Sequence, residues 1–132
     1  MQTTSSNPQP PVRIVLAEDH VIVRQGFSAL LNNQPDMEVC AETDSSASTL
    51  QALRDQTPDI LVMDLLLKGE DGVELIKKIK AQSIKVPILV ISMQDETVYA
   101  ERCLRGGASG YIMKNQEAEE FVRAIHLSLI HI

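Results

Sequence analysis

The chain lacks an excess of basic charge: 12 lysines and arginines face 18 aspartates and glutamates over 132 residues, for a formal net charge of −6. That excludes a surface built to neutralise nucleic-acid phosphates on this domain, although an acidic domain can still have basic partners. It also lacks C-x-x-C spacing. Cys40 and Cys103 sit apart in apolar segments, so they read as buried reduced thiols, which fits a reducing cytoplasm better than a disulfide. No apolar run approaches the roughly 18 residues needed to span a bilayer, and the N-terminus has neither the basic nor the apolar region of a signal peptide. These absences leave a cytoplasmic domain with no membrane partner, of a length suited to one core.

What is there is alternation. After a polar, Pro-rich leader, "MQTTSSNPQPP" (1–11), the apolar run "VRIVLA" precedes Val23, Phe27, Leu30 and Leu31, which share one helix face. The pattern repeats. "MEVCAET" precedes Ala47, Leu50 and Leu53; "DILVMD" precedes Val73, Ile76 and Ile79; "VPILVIS" precedes Ala100, Cys103 and Leu104; and "GYIM" precedes Ala118, Phe121, Val122 and Ile125. Five strands thus alternate with five helices over 12–126. The first, third and fourth strands are apolar almost throughout, as strands covered by helices on both faces are, so a parallel α/β sandwich is expected. Residues 127–132, at the end of "HLSLIHI", run more apolar than the exposed side of a last helix should. They read as the tail of a truncated chain or as non-native residues. Gly106 and Gly107 are placed to end the fourth helix, and Gly72 leads the third behind Glu70 and Asp71.

In such sheets ligands collect beyond the carboxyl ends of the strands. The strand exits carry Glu18 and Asp19, then Asp64, then Ser92, then Lys114. Each alone is unremarkable, as a turn former, a cap or a solvated lysine. Together they have a common chemistry. Three clustered carboxylates call for a cation, and an oxygen-only set with few protein ligands suits Mg²⁺. A hydroxyl and an ammonium opposite it would bind the oxygens of a transferring phosphoryl group, with Asp64, central and preceded by "ILVM", as acceptor. His20 is expected to be a solvated helix-start residue, since it has no convergent nitrogen or sulfur ligands.

On "AEDH", "VMDLLLKGEDG", "VISM" and "SGYIMK", the chain resembles the receiver domains of bacterial two-component response regulators over about residues 12–126. The "SMQDE" and "RGGASGYIMK" stretches are most similar to the subfamily whose full-length members carry a C-terminal helix-turn-helix DNA-binding domain. The resemblance implies a flavodoxin-like (βα)5 three-layer fold with sheet order 2-1-3-4-5. It implies a switch rather than an enzyme, with phosphotransfer to Asp64 from a sensor histidine kinase or phosphotransfer protein. Mg²⁺ would be held by Glu18, Asp19, Asp64 and the backbone carbonyl of Leu66. Lys114 and Ser92 would serve the transfer, and Ser92 with Tyr111 would form the switch. A phosphorylation-dependent homodimer and transcriptional output through a DNA-binding domain absent from this chain are further expectations. The alternative within the family is a stand-alone receiver acting by docking.

There are departures from the family pattern. Leu67-Lys68 stands where Met-Pro is frequent, and Asn115 stands where a proline often follows the lysine, so the Lys114–Asn115 bond is expected to be trans. An aspartyl-phosphate phosphatase of the haloacid-dehalogenase kind is disfavoured, because Asp64 is followed by Leu65, Leu66 and Leu67 where D-x-D-x-[TV] is needed. A flavin carrier is disfavoured because Glu18 and Asp19 occupy the phosphate-cradling position. Orienting a hydrolytic water beside an acyl phosphate needs a polar side chain. Leu66 cannot supply one and flexible Gln94 can, so modest self-dephosphorylation is expected.

Overall fold

Period-two alternation along the strands divides the core in two. Strand β1 (Val12–Ala17) lies between β2 (Met37–Thr43) and β3 (Ile60–Asp64), and β3 passes the sheet on to β4 (Ile88–Ser92) and β5 (Gly110–Met113). The computed structural model describes residues 10–93 and 97–130, so Gln94, residues 1–9 of the leader and residues 131–132 of the tail lie outside the described residues. Every pairing in this five-stranded sheet is parallel, in the order β2-β1-β3-β4-β5. The expected order and sandwich are what the chain adopts. Val15, Ala17, Leu61, Met63, Ile88 and Val90 pack on one face against α2 (Ser46–Gln56), α3 (Gly72–Ala81) and α4 (Thr97–Gly106). Ile14, Leu16, Ile60, Val62, Leu89 and Ile91 pack on the other against α1 (Val21–Asn32) and α5 (Ala118–Ile130). Full burial of each such aliphatic side chain contributes about 1.5–3 kcal/mol, which is why β3 and β4 carry no polar residue before their last position.

Parallel strands place all five carboxyl ends along one edge, and the three buried central strands hold that edge rigidly. Phe27 and Phe121 meet edge to face with centroids 4.7 Å apart, tying α1 to α5 beneath the first strand. Cys40 bulges out of the β1–β2 register, its thiol 3.4 Å from the Ile14 carbonyl. It and Cys103 are free thiols, and burial pushes both above the usual thiol range, as reduced, unreactive cysteines should be.

The helix faces follow the expected pattern with instructive exceptions. On α2, Ala47 is exposed, and Ser46 and Thr49 are buried beside Leu53. Hydroxyls fit there because they are bonded: Ser45 and Ser48 form a reciprocal capping box, and Thr49 Oγ1 lies 2.7 Å from both Thr43 Oγ1 and the Ser45 carbonyl. Leu104 and Ala118 likewise face solvent rather than the core. Helix α5 continues past 126 to Ile130, burying Ser128 and packing Leu129, while Leu127 and Ile130 stay exposed.

Two glycines are required by geometry. Gly107, at φ +117°, ends α4 where the Lys80 stem crosses it. Gly72 opens α3 against the chain just beyond β3: its N–H donates to the Leu65 carbonyl at 2.6 Å, and a Cβ there would sit 2.5 Å from that same oxygen. This approach folds Leu66–Leu67 back on Glu70–Asp71 as a separate two-residue antiparallel ladder.

Candidate functional site

The edge formed by the strand ends holds a cavity of about 500 Å³. Glu18 directly continues β1, its N–H donating to the Thr43 carbonyl at 2.9 Å, which drives its side chain into full burial. Asp64 is the last residue of β3 and Ser92 the last of β4, both buried. Lys114 follows β5 and is held to the sheet by its N–H on the Ser92 carbonyl at 2.7 Å. Its ammonium, on a side chain only 5% exposed, lies 2.5 Å from Glu18 Oε1 and 3.0 Å from Asp64 Oδ2. Residues almost a hundred positions apart in sequence thus meet at one point. The peptide bonds of the described residues contain no cis linkage, so a trans Lys114–Asn115 bond delivers this amine.

Asp19 faces the same cavity and is oriented from two sides. The Lys68 N–H donates to its Oδ2 at 2.8 Å, and His20 Nδ1 lies 3.3 Å from its Oδ1. That backbone bond depends on the chain's own loop: Lys68 has φ +50°, and a proline at this position could neither adopt that angle nor donate. His20 is largely exposed, as expected of the residue before α1. Its Nδ1 also reaches Glu18 Oε2 at 3.1 Å, so the imidazole bridges both carboxylates, which the sequence did not disclose.

Ligand-type atoms of Glu18, Asp19, His20 and Asp64 all lie within 4.8 Å of one another. Apart from the ion-pair contacts just given, Glu18 Oε1 and Asp19 Oδ1 are buried with no hydrogen-bond donor on them among the described residues. Three carboxylates against one ammonium leave the cluster under-neutralised, and its oxygen donors suit a hard divalent cation. Titration reflects that imbalance. Burial pushes Asp64 above the usual carboxylate range, with Lys114 opposing and Glu18 adding to the rise. Burial also works on Glu18, but bonds from Lys114 and His20 outweigh it and hold that carboxyl below its usual range. The two carboxyls of this pair are thus shifted in opposite directions.

Leu66 lines the cavity, whereas Tyr111 does not. Tyr111 sits on β5 opposite Val90, half-buried against the α3–α4 side of the core. Among the further residues of the cavity wall that the sequence missed, three carry polar side chains, Asp71, Tyr99 and Arg102. Asp71 caps α3 by accepting from the Val73 N–H at 2.9 Å, and Arg102 reaches across from α4 to pair with it at 3.2 Å. Only the helix-start role of Asp71 was visible in the sequence.

A model of the response regulator receiver domain matches residues 14–126. The chain belongs to this family. The receiver is 40% identical over 115 residues to the oxygen regulatory protein NreC of Staphylococcus haemolyticus, covering 86% of this chain and 53% of that protein. It therefore spans about half the length of the curated relatives it matches. A LuxR-family two-component response regulator from an Aurantimonas species superposes with a TM-score of 0.87 at 36% identity, covering 92% of this chain and 86% of that one. The signal receiver domain of the response regulator NarL from Mycobacterium tuberculosis superposes with a TM-score of 0.88 at 26% identity, covering 94% and 100%. The receiver is thus that of a two-component response regulator similar to NreC and NarL, and none of its helices is long and apolar enough to cross a membrane.

Proposed function

We propose that Asp64 accepts a phosphoryl group from a phosphohistidine on a sensor histidine kinase or phosphotransfer protein, and that the acyl phosphate switches an output surface. The observation that carries the reading is the buried carboxylate of Asp64, 3.0 Å from the Lys114 ammonium, on the wall of a cavity shared with Asp19 and Ser92. In the transfer, an Asp64 carboxylate oxygen forms a bond to phosphorus as the donor's P–N bond breaks, and the departing imidazole takes a proton from solvent. Mg²⁺ bound by Glu18, Asp19, Asp64 and the Leu66 carbonyl would neutralise charge on the transferring group. The Lys114 ammonium, already placed against the acceptor, stabilises the added phosphoryl oxygens without reorganising. Ser92 lines the same cavity, and its hydroxyl would supply a donor to those oxygens.

Drawing Ser92 toward the phosphoryl group alters the packing beside it on β5, where Met113 is its register partner and Tyr111 lies two residues earlier. The α4–β5–α5 surface then becomes the output face, in a cytoplasmic regulator that dimerises on phosphorylation. The length of the relatives supports a DNA-binding domain in the longer protein through which transcription is controlled. Treatment with a small phosphodonor and Mg²⁺, followed by intact mass and site mapping, tests the acceptor. Label on Asp64 is expected, and label elsewhere refutes the assignment.

A further inference from the structure

One lysine and one arginine among the described residues line the cavity, Lys114 and Arg102. They differ in availability. Lys114 is buried and shared between Glu18 and Asp64, whereas the Arg102 side chain is 45% exposed. Its guanidinium carbon stands 5.7 Å from the centre of the Tyr99 ring, and one nitrogen lies 3.2 Å from Asp71 Oδ2. Both partners also line the cavity, so the guanidinium is restrained at its wall by a stack and a solvent-exposed pair.

An incoming phosphoryl donor is itself anionic, and it must approach past Asp19, Asp64 and Asp71 on that wall. Lys114 faces inward and is already divided between two carboxylates. The exposed cation is the one able to meet the donor first. A guanidinium presents a planar fork of donors that matches phosphate oxygens, and an exposed ion pair such as Arg102–Asp71 is worth so little that exchanging it is easy.

We infer that Arg102 binds the phosphoryl donor: its guanidinium exchanges Asp71 for the donor's phosphoryl oxygens and holds them over Asp64, with Tyr99 limiting its swing. Asp71 is then a competitor for the same fork. The inference rests on Asp64 being the acceptor. In the step it assists, an Asp64 oxygen bonds to phosphorus, the donor's P–N bond breaks, and the leaving nitrogen takes a proton from solvent. Arg102 loses none of its own.

The test uses the full chain with saturating Mg²⁺ and phosphoramidate, following the rate constant for label on Asp64. Arg102→Ala should lower it about three- to tenfold, the range between an exposed and a charge-assisted contact. Arg102→Lys, which keeps the charge but not the fork, should recover only part of the loss, and high salt should shrink the gap between wild type and Arg102→Ala. Asp71→Asn, which keeps a side chain able to cap α3, should raise the rate constant by releasing the fork. Mg²⁺ affinity, measured by calorimetry, should stay within about twofold in Arg102→Ala, which a collapsed pocket would not allow. Equal rate constants in wild type and Arg102→Ala would overturn the inference. So would a parallel loss in Asp71→Asn, since the pair would then merely brace α3 against α4. A wild-type chain that takes no label on Asp64 defeats the acceptor reading instead, and that result is visible before any variant is compared.

Discussion

Replacing Lys114 with methionine keeps most of the side-chain volume and removes the one ammonium set between Glu18 Oε1 and Asp64 Oδ2, at 2.5 and 3.0 Å. Two buried carboxylates then face each other without a shared cation. Removing one partner of a buried pair costs about 3–5 kcal/mol. Protonating one carboxyl offers an escape whose cost is about 1.4 kcal/mol for each pH unit above the ordinary carboxylate pKa, so it caps the penalty near 4 kcal/mol at pH 7 and between about 1 and 2 kcal/mol at pH 5. The direction follows from linkage. Asp64 already sits above its usual range in the wild type and rises further without Lys114, so the folded state binds more protons than the unfolded one. Stability from this group is present at low pH and is lost as pH climbs through the raised pKa. Urea unfolding without Mg²⁺ is the assay. With a slope of about 1.5 kcal/mol per molar urea, the midpoint of Lys114→Met should fall by about 2 to 2.7 M at pH 7 and by about 0.7 to 1.3 M at pH 5. Added Mg²⁺ should restore much of the difference. A loss independent of pH, or one below about 1 kcal/mol at pH 7, would refute the claim that these carboxylates are buried together around the lysine.

Asp19→Asn should weaken Mg²⁺ binding measured by calorimetry, and should raise the metal-free melting temperature by relieving repulsion within the cluster; unchanged Mg²⁺ affinity would remove Asp19 as a ligand. Gly72→Ala should destabilise the domain by at least about 2 kcal/mol in denaturant unfolding, because its methyl would meet the Leu65 carbonyl at 2.5 Å and Met63 Cε at 2.9 Å. A neutral result there would mean that the turn after β3 shifts freely.

Much of this was legible in the sequence, and for physical reasons. "IVLA", "ILVM" and "ILVI" could only be strands covered on both faces, and once five such units alternate with helices, parallel pairing brings Glu18, Asp64, Ser92 and Lys114 to one edge. Side-chain direction was not legible. His20 reads as a solvated helix start, and it is largely exposed, but its Nδ1 turns back onto Glu18 and Asp19. Arg102 looks like any charged residue on an outer helix face. Its place in the site depends on how closely α4 approaches the start of α3, which no periodicity encodes. The packed face of α2 was misread at Ala47 for a different reason: apolar counting ignores hydroxyls that bury comfortably once Ser45, Ser48, Thr43 and Thr49 satisfy one another. The departure from Met-Pro at Leu67-Lys68 was plain, but its result, a backbone N–H on Asp19, required the left-handed turn at Lys68.

The central claim is that Asp64 is the phosphoryl acceptor, and one measurement addresses it directly. The wild-type chain and Asp64→Asn are each incubated with phosphoramidate and Mg²⁺, and then read by intact mass and peptide mapping. The variant is close to isosteric and loses only the nucleophilic carboxylate, so it should remain folded. A single phosphoryl group on the peptide containing Asp64 in the wild type, and none in the variant, is the predicted result. Equal labelling of Asp64→Asn at another residue would contradict the account.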